Sequence, residues 1–316
     1  MPLKNTSEWI WFSGNWVPWH EATVHVSTHA LHYGSSVFEG IRTYATDDGP
    51  AVFRLTDHMA RFMYSAKIMR MGDQLEFSQA ELEAACVELV ARNKQKSCYI
   101  RPLAFRDSDS FGLNAAGQRV EVVIISIEWG RYLGADGIEN GIDAAVTSWR
   151  RVASSPMAKV GGQYVNNQQV SMEAKRHGYT EGITLDVNGN LSEGAGENLF
   201  LMMNGTIYTP SVASSILSGI TRDTVLTLAA DLGIPVREET LVREMLYIAD
   251  EIFMTGTAAE ITPIRSVDGL QVGSGKRGPI TKALQESFFA TVEGRSPDVH
   301  GWLTYVQQPV AEAGDD

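Results

Sequence analysis

The chain has 316 residues, of which 44% are hydrophobic and 20% charged, so it has enough apolar material for a folded core and is neither disordered nor collagen-like. Its 26 basic and 38 acidic residues give a net charge of −12, which disfavours nucleic acid and anionic membranes as partners. No apolar run approaches the roughly 20 residues of a membrane helix. Two cysteines without a CxxC pair fit a reducing compartment, so we expect a cytoplasmic protein.

Hydrophobic periodicity and turn residues predict a mixture of strands and helices in the N-terminal part. The predicted elements, in chain order, are a hairpin around Ser13-Gly14-Asn15, a helix over 56–70 capped by Thr56, a second helix that runs from a capping box at Ser78-Gln79-Ala80-Glu81 to about Asn93, and strands at 98–105 and 119–127. The glycine-rich segment GRYLGADGIENG then breaks the pattern and indicates a domain boundary near residue 130.

Strands and helices alternate irregularly beyond this boundary as well. The predicted elements are a strand at 142–149, a helix over 163–177 closed by Gly178, hairpins with I′ turns at Asn188-Gly189 and Asn204-Gly205, a helix over 220–232, a strand at 251–256 and a helix from Pro279 to Val292. The pattern favours a mixed α/β, α+β-like fold in two domains rather than a doubly wound sheet.

Two motifs suggest chemistry that the rest of the sequence supports poorly. Four histidines crowd near the N-terminus as a zinc cluster would: His20, His25, His29 and His32. They lack regular ligand spacing and an HExxH motif, so we favour packed or hydrogen-bonded histidines and expect no metal. GSGKRG at 273–278 matches GxGxxG but has no following strand, which a dinucleotide fold requires. A zinc hydrolase and a nucleotide-binding protein stay as alternatives.

Two other segments have the form of anion cradles. Gly219 precedes a predicted helix, so the amides of Ile220 and Thr221 lie at a helix N-terminus, where the dipole favours a phosphate. The strand at 251–256 runs into Thr257-Ala258, a turn that leaves hydroxyl and amide donors at a strand end. Either segment alone is also what an ordinary cap or turn contains.

One lysine stands apart from the others, most of which lie among polar neighbours on predicted helices. Small residues and glycines flank Lys159 in SSPMAKVGGQY, so another molecule could approach it closely and use it as a nucleophilic amine. Tyr164 follows nearby, and Glu193 lies in the glycine-rich loop SEGAGEN. A lysine, an acid, a tyrosine and a phosphate cradle are the parts of a pyridoxal 5′-phosphate (PLP) site. The sequence positions alone do not show that these four groups lie close together in the fold.

A resemblance to a known family connects these segments. The segments that carry it are HALHYGSSVFEGIR at 29–42, CYIRPL at 98–103, EWGRYLGA at 128–135, PMAKVGGQYVNNQ at 156–168, EGITLDVNGNLSEGAGENLF at 181–200, ILSGITRD at 216–223 and FMTGTAAEITPIRSVDG at 253–269. In this order they closely resemble the bacterial branched-chain amino acid aminotransferases of class IV. Any one segment alone would be weak, whereas seven in order make chance agreement negligible.

The resemblance implies a two-domain PLP enzyme of fold type IV, similar to D-amino acid aminotransferase. It implies a smaller N-terminal α/β domain over 1–130, an interdomain loop over 131–140 and a larger PLP-binding domain over 141–316, with the cofactor between the domains. Lys159 would form the PLP–lysine aldimine and shuttle the substrate proton. Glu193 would pair with the pyridine nitrogen, and Tyr164 would contact the 3′ oxygen. The remaining cofactor-binding residues that it implies are Arg61, Asn198, Leu217, Gly219, Ile220, Thr221 and Thr257.

The implied substrate pocket combines an apolar aromatic wall with polar handles, because it must accept both a branched side chain and the γ-carboxylate of glutamate. Arg101 would receive that carboxylate, while Tyr99 and the Thr257 and Ala258 amides would bind the α-carboxylate. The other substrate-binding residues implied are Tyr33, Phe38, Gly40, Leu113, Trp129 and Tyr132, together with Tyr164 as a further part of the wall. Leu113 would reach the pocket of a neighbouring subunit if the chain forms a homodimer or a higher homo-oligomer, as the family does.

Two segments depart from the family pattern. FRDSDSFGLN at 105–114 is unusually polar, so Arg106, Asp107 or Asp109 could shift substrate preference or the dimer contact. GGQYVNNQ has Gln163 and two asparagines where the family commonly shows GGNY and small residues.

From the resemblance as a whole we expect a branched-chain transaminase that works by a ping-pong mechanism, with L-leucine, L-isoleucine or L-valine as the amino donor and 2-oxoglutarate as the acceptor. The nearest alternatives are a D-amino acid or (R)-amine transaminase or an aminodeoxychorismate lyase.

Overall fold

A computed structural model describes residues 7–108, 110–128, 135–151 and 156–307 of the chain. The described part divides into two compact units, one formed by residues 1–129 with 290–316 and the other by residues 130–289. None of the helices in this part is long and apolar enough to cross a bilayer. The α-helices are α1 (His29–Tyr33), α2 (Leu55–Ile68), α3 (Gln79–Arg92), α4 (Ala135–Asn140), α5 (Tyr164–Arg176), α6 (Ile220–Asp231), α7 (Met245–Ile248) and α8 (Pro279–Val292).

The first unit is built on an eight-stranded sheet in the order β17-β5-β4-β6-β7-β1-β2, with β3 also paired to β6. Helices α2 and α3 pack against each other, and α3 packs on β1 and β7. The strands are β1 (Trp9–Phe12), β2 (Asn15–Pro18), β3 (Ser36–Phe38), β4 (Ile41–Thr46), β5 (Gly49–Phe53), β6 (Cys98–Arg106), β7 (Val120–Ile127) and, near the C-terminus, β17 (Leu303–Tyr305).

The second unit contains a nine-stranded sheet in the order β10-β9-β8-β15-β14-β11-β12-β13, with β16 paired to β15. Helix α5 packs on β8 and β9, and α6 packs on β13 and β14. Its strands are β8 (Ile142–Arg150), β9 (Glu181–Leu185), β10 (Leu191–Gly194), β11 (Asn198–Met203), β12 (Thr206–Pro210), β13 (Val236–Glu239), β14 (Glu251–Gly256), β15 (Glu260–Val267) and β16 (Leu270–Gln271).

The predicted mixed α/β class is confirmed by these two sheets and their helices. The capping box at the start of α3 is confirmed in both directions, since the Ser78 hydroxyl accepts the Glu81 amide and the Glu81 carboxylate accepts the Ser78 amide. The I′ turn at Asn204-Gly205 is also confirmed, with φ values of 49° and 75°. Local sequence signals were sufficient at these positions because the interactions that set them lie within a few residues.

Four local predictions differ from the structure. Helix α2 begins one residue earlier than its predicted cap, after Arg54 in the left-handed region at φ 52°. The Asn188-Gly189 segment is not a two-residue turn, because Asp186 Oδ1 accepts the amides of Asn188 and Asn190 and stabilises a longer loop. Helix α4 occupies part of the predicted interdomain loop. Finally, β17 pairs antiparallel with β5 in the first sheet, whereas we predicted that segment within the C-terminal domain.

Candidate active site

Lys159 and Tyr164 lie side by side at the start of α5. The chain passes Lys159, makes a short 3₁₀ turn over Gly161–Gln163 and enters the helix at Tyr164. This turn brings the Lys159 Nζ to 2.6 Å from the Tyr164 hydroxyl, to which it donates a hydrogen bond. Lys159 is only partly buried, so its amine keeps an accessible side. The predicted neighbourhood of these two residues is therefore present in the fold.

Glu193 lies on β10. Its carboxylate is buried, and both of its oxygens have hydrogen-bond or ion-pair partners. Its Oε1 pairs with Arg151 at 2.8 Å. Its Oε2 accepts the Asn198 side-chain amide at 3.0 Å and the Leu217 backbone amide at 2.9 Å. These donors all favour the ionised form of a carboxylate and hold its plane in one orientation. The structure thus brings together the predicted Glu193, Asn198 and Leu217 and adds Arg151, which sequence reasoning missed.

Two further acids are buried close to Glu193. Glu197 is 5% exposed and Glu181 is 1% exposed. Burial, reinforced by the charge of Glu181, raises the pKa of Glu197 well above its ordinary value, and burial also raises the pKa of Glu181. Lys159 opposes the shift of the Glu197 pKa by its positive charge. The second acid in SEGAGEN was a visible signal for this cluster, but a sequence does not tell which acids are buried together.

The N-terminus of α6 lies next to Asn198. Gly219 is the N-cap residue of the helix, and its backbone is extended. As a glycine it has no side chain that could accept a hydrogen bond from the first amides of the helix. A Cβ atom at Gly219 would lie 1.9 Å from Asn198 Oδ1, so the absence of a side chain is required at this position. The first amides of a helix have no acceptor within it, and those of Ile220 and Thr221 have the orientation that suits an anion.

Strand pairing places the second predicted anion segment at the same end of the sheet. In the antiparallel pair of β11 and β14, Asn198 lies opposite Thr255. Because β11 begins where β14 ends, the turn that contains Thr257 and Ala258 follows β14 on the side where Asn198 opens β11. The turn that contains Thr257 and the N-terminus of α6 therefore both lie near the start of β11.

In the first unit, Arg101 is held between aromatic side chains. Its Nη2 donates to the Tyr99 hydroxyl at 2.9 Å, and its guanidinium lies 4.7 Å from the Phe38 ring centroid. Gly40 makes room for this arrangement, because a Cβ there would lie 1.9 Å from the Tyr99 hydroxyl. Within the described residues the buried Arg101 Nε has no hydrogen-bond partner. An unsatisfied guanidinium N–H beside aromatic surface suits a carboxylate ligand.

The other predicted substrate residues of this unit are more exposed. Tyr33 is 45% exposed and donates its hydroxyl hydrogen bond to the Phe111 carbonyl, while Leu113 is 81% exposed. Trp129 and Tyr132 lie outside the described residues.

Arg61 is buried on α2 and forms a two-pronged pair with Glu39. Its Nε and Nη2 donate to the two Glu39 carboxylate oxygens at 2.7 and 2.8 Å, and His58 Nδ1 lies 2.7 Å from Oε2. Burial alone would raise the pKa of Glu39, but Arg61 and His58 outweigh it and hold that pKa well below its usual range. Sequence reasoning predicted Arg61 and missed the buried acid that holds it in place.

Two polar side chains of the 105–114 segment, those of Arg106 and Asp107, make hydrogen bonds and ion pairs within the fold. Arg106 donates to the backbone carbonyls of Met69, Arg70 and Ala115. Asp107 pairs with Arg119 and accepts the Thr28 hydroxyl. Asp109 lies outside the described residues. The geometry of Arg106 and Asp107 therefore gives them a role in holding this loop.

Residues of the N-terminal histidine cluster, and the helix that follows GSGKRG, make hydrogen bonds within the protein. His29 contacts the Ser35 hydroxyl and the Gly112 carbonyl, and His32 contacts the Val26 carbonyl. Across the part of the chain that the structure describes, no three His, Cys, Asp or Glu side chains are placed to hold a metal ion. The helix that follows GSGKRG is capped by Glu251, which accepts the amides of Ile280 and Thr281, so this terminus is already occupied by a carboxylate.

Comparison with known proteins identifies the class to which this fold and these residues belong. The family model for amino-transferase class IV matches residues 36–267. The chain is 53% identical over 306 residues to the branched-chain-amino-acid aminotransferase of Escherichia coli K12, covering 96% of this chain and 98% of that protein. A crystal structure of the Escherichia coli enzyme superposes with a TM-score of 0.93 at 52% identity, covering 95% of this chain and all (100%) of that one.

A further structural neighbour is the branched-chain amino acid aminotransferase of T.th. in complex with N-(5′-phosphopyridoxyl)-L-glutamate. It has a TM-score of 0.90 at 44% identity and covers 96% of this chain and 100% of that chain. The chain therefore belongs to the class IV aminotransferase family. Its activity is that of a branched-chain-amino-acid aminotransferase.

The cofactor of this family is PLP, and the residues of the second unit suit it chemically. PLP carries an aldehyde, a ring nitrogen and a phosphate, which need an amine, an acid and anion donors respectively. Lys159 supplies the amine and Glu193 an ionised carboxylate. The first amides of α6, those of Ile220 and Thr221, lie at a helix N-terminus, where the helix dipole favours a phosphate. The donor set of this chain thus fits the group.

Proposed function

We propose that the chain transfers the amino group of L-leucine, L-isoleucine or L-valine to 2-oxoglutarate in two half-reactions, with Lys159 as the amine that bonds to the cofactor. The observation that carries this proposal is the contact of the Lys159 Nζ with the Tyr164 hydroxyl in the unit that also holds the Glu193 carboxylate. An amine beside a phenol, together with a separate fixed carboxylate, provides one group for the aldehyde and another for the ring nitrogen.

The chemistry of the cofactor, when bound, is to accept an amino group at its aldehyde and to withdraw electrons from the substrate Cα through a protonated ring. The residues of the chain supply the proton transfers and the positioning. Lys159 Nζ would take the proton from the substrate Cα and would deliver it to the C4′ carbon of the cofactor, because an amine within reach of both carbons acts as general base and then as general acid. Glu193, which Arg151 and Asn198 keep ionised and oriented, holds the proton at the ring nitrogen.

Tyr164 and the anion donors orient the cofactor in this proposal. The Tyr164 hydroxyl donates to the 3′ oxygen of the ring. The Ile220 and Thr221 amides and the Thr257 hydroxyl bind the phosphate.

Arg101 distinguishes the two kinds of substrate. Phe38 and Tyr99 cover its guanidinium faces and present apolar surface to a branched side chain. The Arg101 guanidinium pairs with the γ-carboxylate of glutamate or 2-oxoglutarate, since a guanidinium is a strong partner of a carboxylate. The T.th. neighbour supports glutamate as a substrate, because its bound molecule combines the cofactor with L-glutamate.

We also propose a homodimer, or a larger homo-oligomer of such dimers, in the cytoplasm. Leu31, Phe111 and Leu113 are 64%, 58% and 81% exposed and form apolar surface that another subunit would cover. Both cysteines are buried free thiols, which suits a reducing compartment. Gel filtration with light scattering tests the assembly, and a monomer at micromolar concentration would contradict it.

Absorbance spectroscopy of the purified protein tests the proposed reaction. We expect a yellow protein that bleaches when L-leucine is added and recovers its colour when 2-oxoglutarate is added. Each half-reaction is thus observed separately. D-alanine serves as the comparison donor, and faster bleaching by D-alanine than by L-valine would favour the D-amino acid transaminase alternative. A colourless protein that gains activity from zinc would contradict the proposal.

A further inference from the structure

Helix α5 carries two adjacent asparagines, Asn166 and Asn167. They lie in different environments. Asn166 is partly buried, and its side chain donates to the Arg150 carbonyl at 3.2 Å. Asn167 is 6% exposed and makes two short side-chain hydrogen bonds. A buried amide with both ends engaged rigidifies the groups that it joins.

The two hydrogen bonds of Asn167 converge on Glu193. Asn167 Oδ1 accepts Arg151 Nη1 at 2.7 Å, and the Nη2 of the same guanidinium pairs with Glu193 at 2.8 Å. Asn167 Nδ2 donates to the Ala195 carbonyl at 2.5 Å, two residues beyond Glu193 on the chain. Asn167 therefore holds both the cation that pairs with Glu193 and the backbone that carries it.

A guanidinium is planar, so fixing some of its N–H groups fixes the direction of the rest. Arg151 is buried, and besides Asn167 its Nε donates to the Ser215 carbonyl at 3.3 Å. With these two acceptors in place, Nη2 is directed at Glu193 Oε1. A serine at position 167 is too short to reach both partners, so it would leave a buried Arg151 N–H unsatisfied and allow the guanidinium to turn.

We propose that Asn167 is a positioning residue that acts through Arg151 to hold the Glu193 carboxylate at the ring nitrogen of the cofactor, an inference that rests on the proposed role of Glu193. The asparagine thus serves cofactor binding and does not contact the substrate.

Binding of 4′-deoxypyridoxine 5′-phosphate to the apoprotein tests this proposal. This probe lacks the aldehyde, so it cannot bond to Lys159, and its affinity reports the ring and phosphate contacts alone. We expect Asn167→Ser to weaken binding about tenfold, which corresponds to about 1.4 kcal/mol, because Arg151 no longer holds the Glu193 carboxylate in one orientation. The matched control, Asn166→Ser, leaves affinity unchanged. Asn167→Asp, which is isosteric and competes with Glu193 for Arg151, also weakens binding.

A double-mutant cycle with Glu193→Ala separates the possible outcomes. If Asn167 acts through Glu193, Asn167→Ser weakens binding in the parent protein and has little further effect in the Glu193→Ala variant. Equal effects in both backgrounds, or no effect in the parent, would overturn the positioning role while leaving the role of Glu193 intact. If Glu193→Ala alone leaves the affinity unchanged, the proposed contact with the ring nitrogen fails, and the inference fails with it.

Discussion

Replacing Gly219 with alanine tests whether the close approach of α6 to Asn198 organises the cofactor site. The backbone of Gly219 is not strained, with φ at −70°, so alanine adds no conformational cost there. Its new Cβ, however, would lie 1.9 Å from Asn198 Oδ1. An ordinary carbon–oxygen contact needs about 3.3 Å, so one of the two groups must move by about 1.4 Å.

A movement of this size breaks the hydrogen bonds of the Asn198 side chain. Its Nδ2 donates to Glu193 at 3.0 Å and to the Leu217 carbonyl at 2.9 Å, and neither bond survives a shift of about 1.4 Å. Losing them costs about 1 kcal/mol each, and overpacking adds about 1–3 kcal/mol. We expect the free energy of unfolding of the apoprotein to fall by about 3–5 kcal/mol, which corresponds to a Tm lower by roughly 6–20 °C.

Urea denaturation and thermal unfolding of the apoprotein measure this effect, and titration with PLP shows whether cofactor affinity falls as well. Gly196→Ala is the matched control for stability, because a Cβ at Gly196 meets no atom within 4 Å. In an Asn198→Ala background, Gly219→Ala should cost much less, since the obstructing oxygen is gone. An unchanged Tm for Gly219→Ala, or an equal cost in both backgrounds, would refute the steric argument.

Three other changes give separate tests. Glu251→Ala should lower the free energy of unfolding, measured by urea denaturation, by about 2–4 kcal/mol, because this carboxylate accepts hydrogen bonds from two backbone amides and a hydroxyl at the start of α8. The control, Glu286→Ala, removes an exposed ion pair on the same helix and should lower the free energy of unfolding by under about 0.5 kcal/mol. The raised pKa of Glu197 means that the folded state binds its proton more tightly than the unfolded chain, so stability falls as pH rises from 4.5 through the raised pKa. Glu197→Gln should therefore gain stability relative to the parent apoprotein between pH 4.5 and 8 in denaturation at a series of pH values, and a constant difference would contradict the pKa shift. Arg101→Ala should lower kcat/KM for glutamate about 10- to 100-fold and for leucine much less, and equal losses would contradict its role.

Elements with local signals were predicted well from the sequence. The bounds of β14 and α8 agree with their predictions, and α3 carries both hydrogen bonds of its predicted capping box. Strands β3, β4 and β5 were not predicted. Strands β4 and β5 pair with each other across a short turn, so their hairpin was a local signal that our prediction missed. Strand β3 pairs with β6, which lies far away in the sequence, so it has no local signal. The pairing of β17 with β5 likewise has no local signal, and it is the reason that the C-terminal segment joins the first unit.

The candidate site shows the same limit. Lys159, Tyr164 and Glu193 stood out because their types and flanking residues suit PLP chemistry. Arg151, which pairs with Glu193, and Glu39, which pairs with Arg61, did not stand out, since they are ordinary charged residues until the fold buries them beside the groups that they hold. The energetic importance of such residues comes from burial and nonlocal hydrogen bonds, which composition and spacing do not reveal.

A single-turnover measurement on Lys159→Ala tests the central claim most directly. The variant and the parent protein are loaded with PLP, mixed with L-leucine and followed by absorbance, while circular dichroism verifies that the fold is retained. A positioned general base accelerates a proton transfer by roughly 10²–10⁴-fold, so we predict that bleaching in the variant is slower by at least about 10²-fold. Bleaching at the parental rate by a folded Lys159→Ala variant would show that another group moves the proton and would contradict the account.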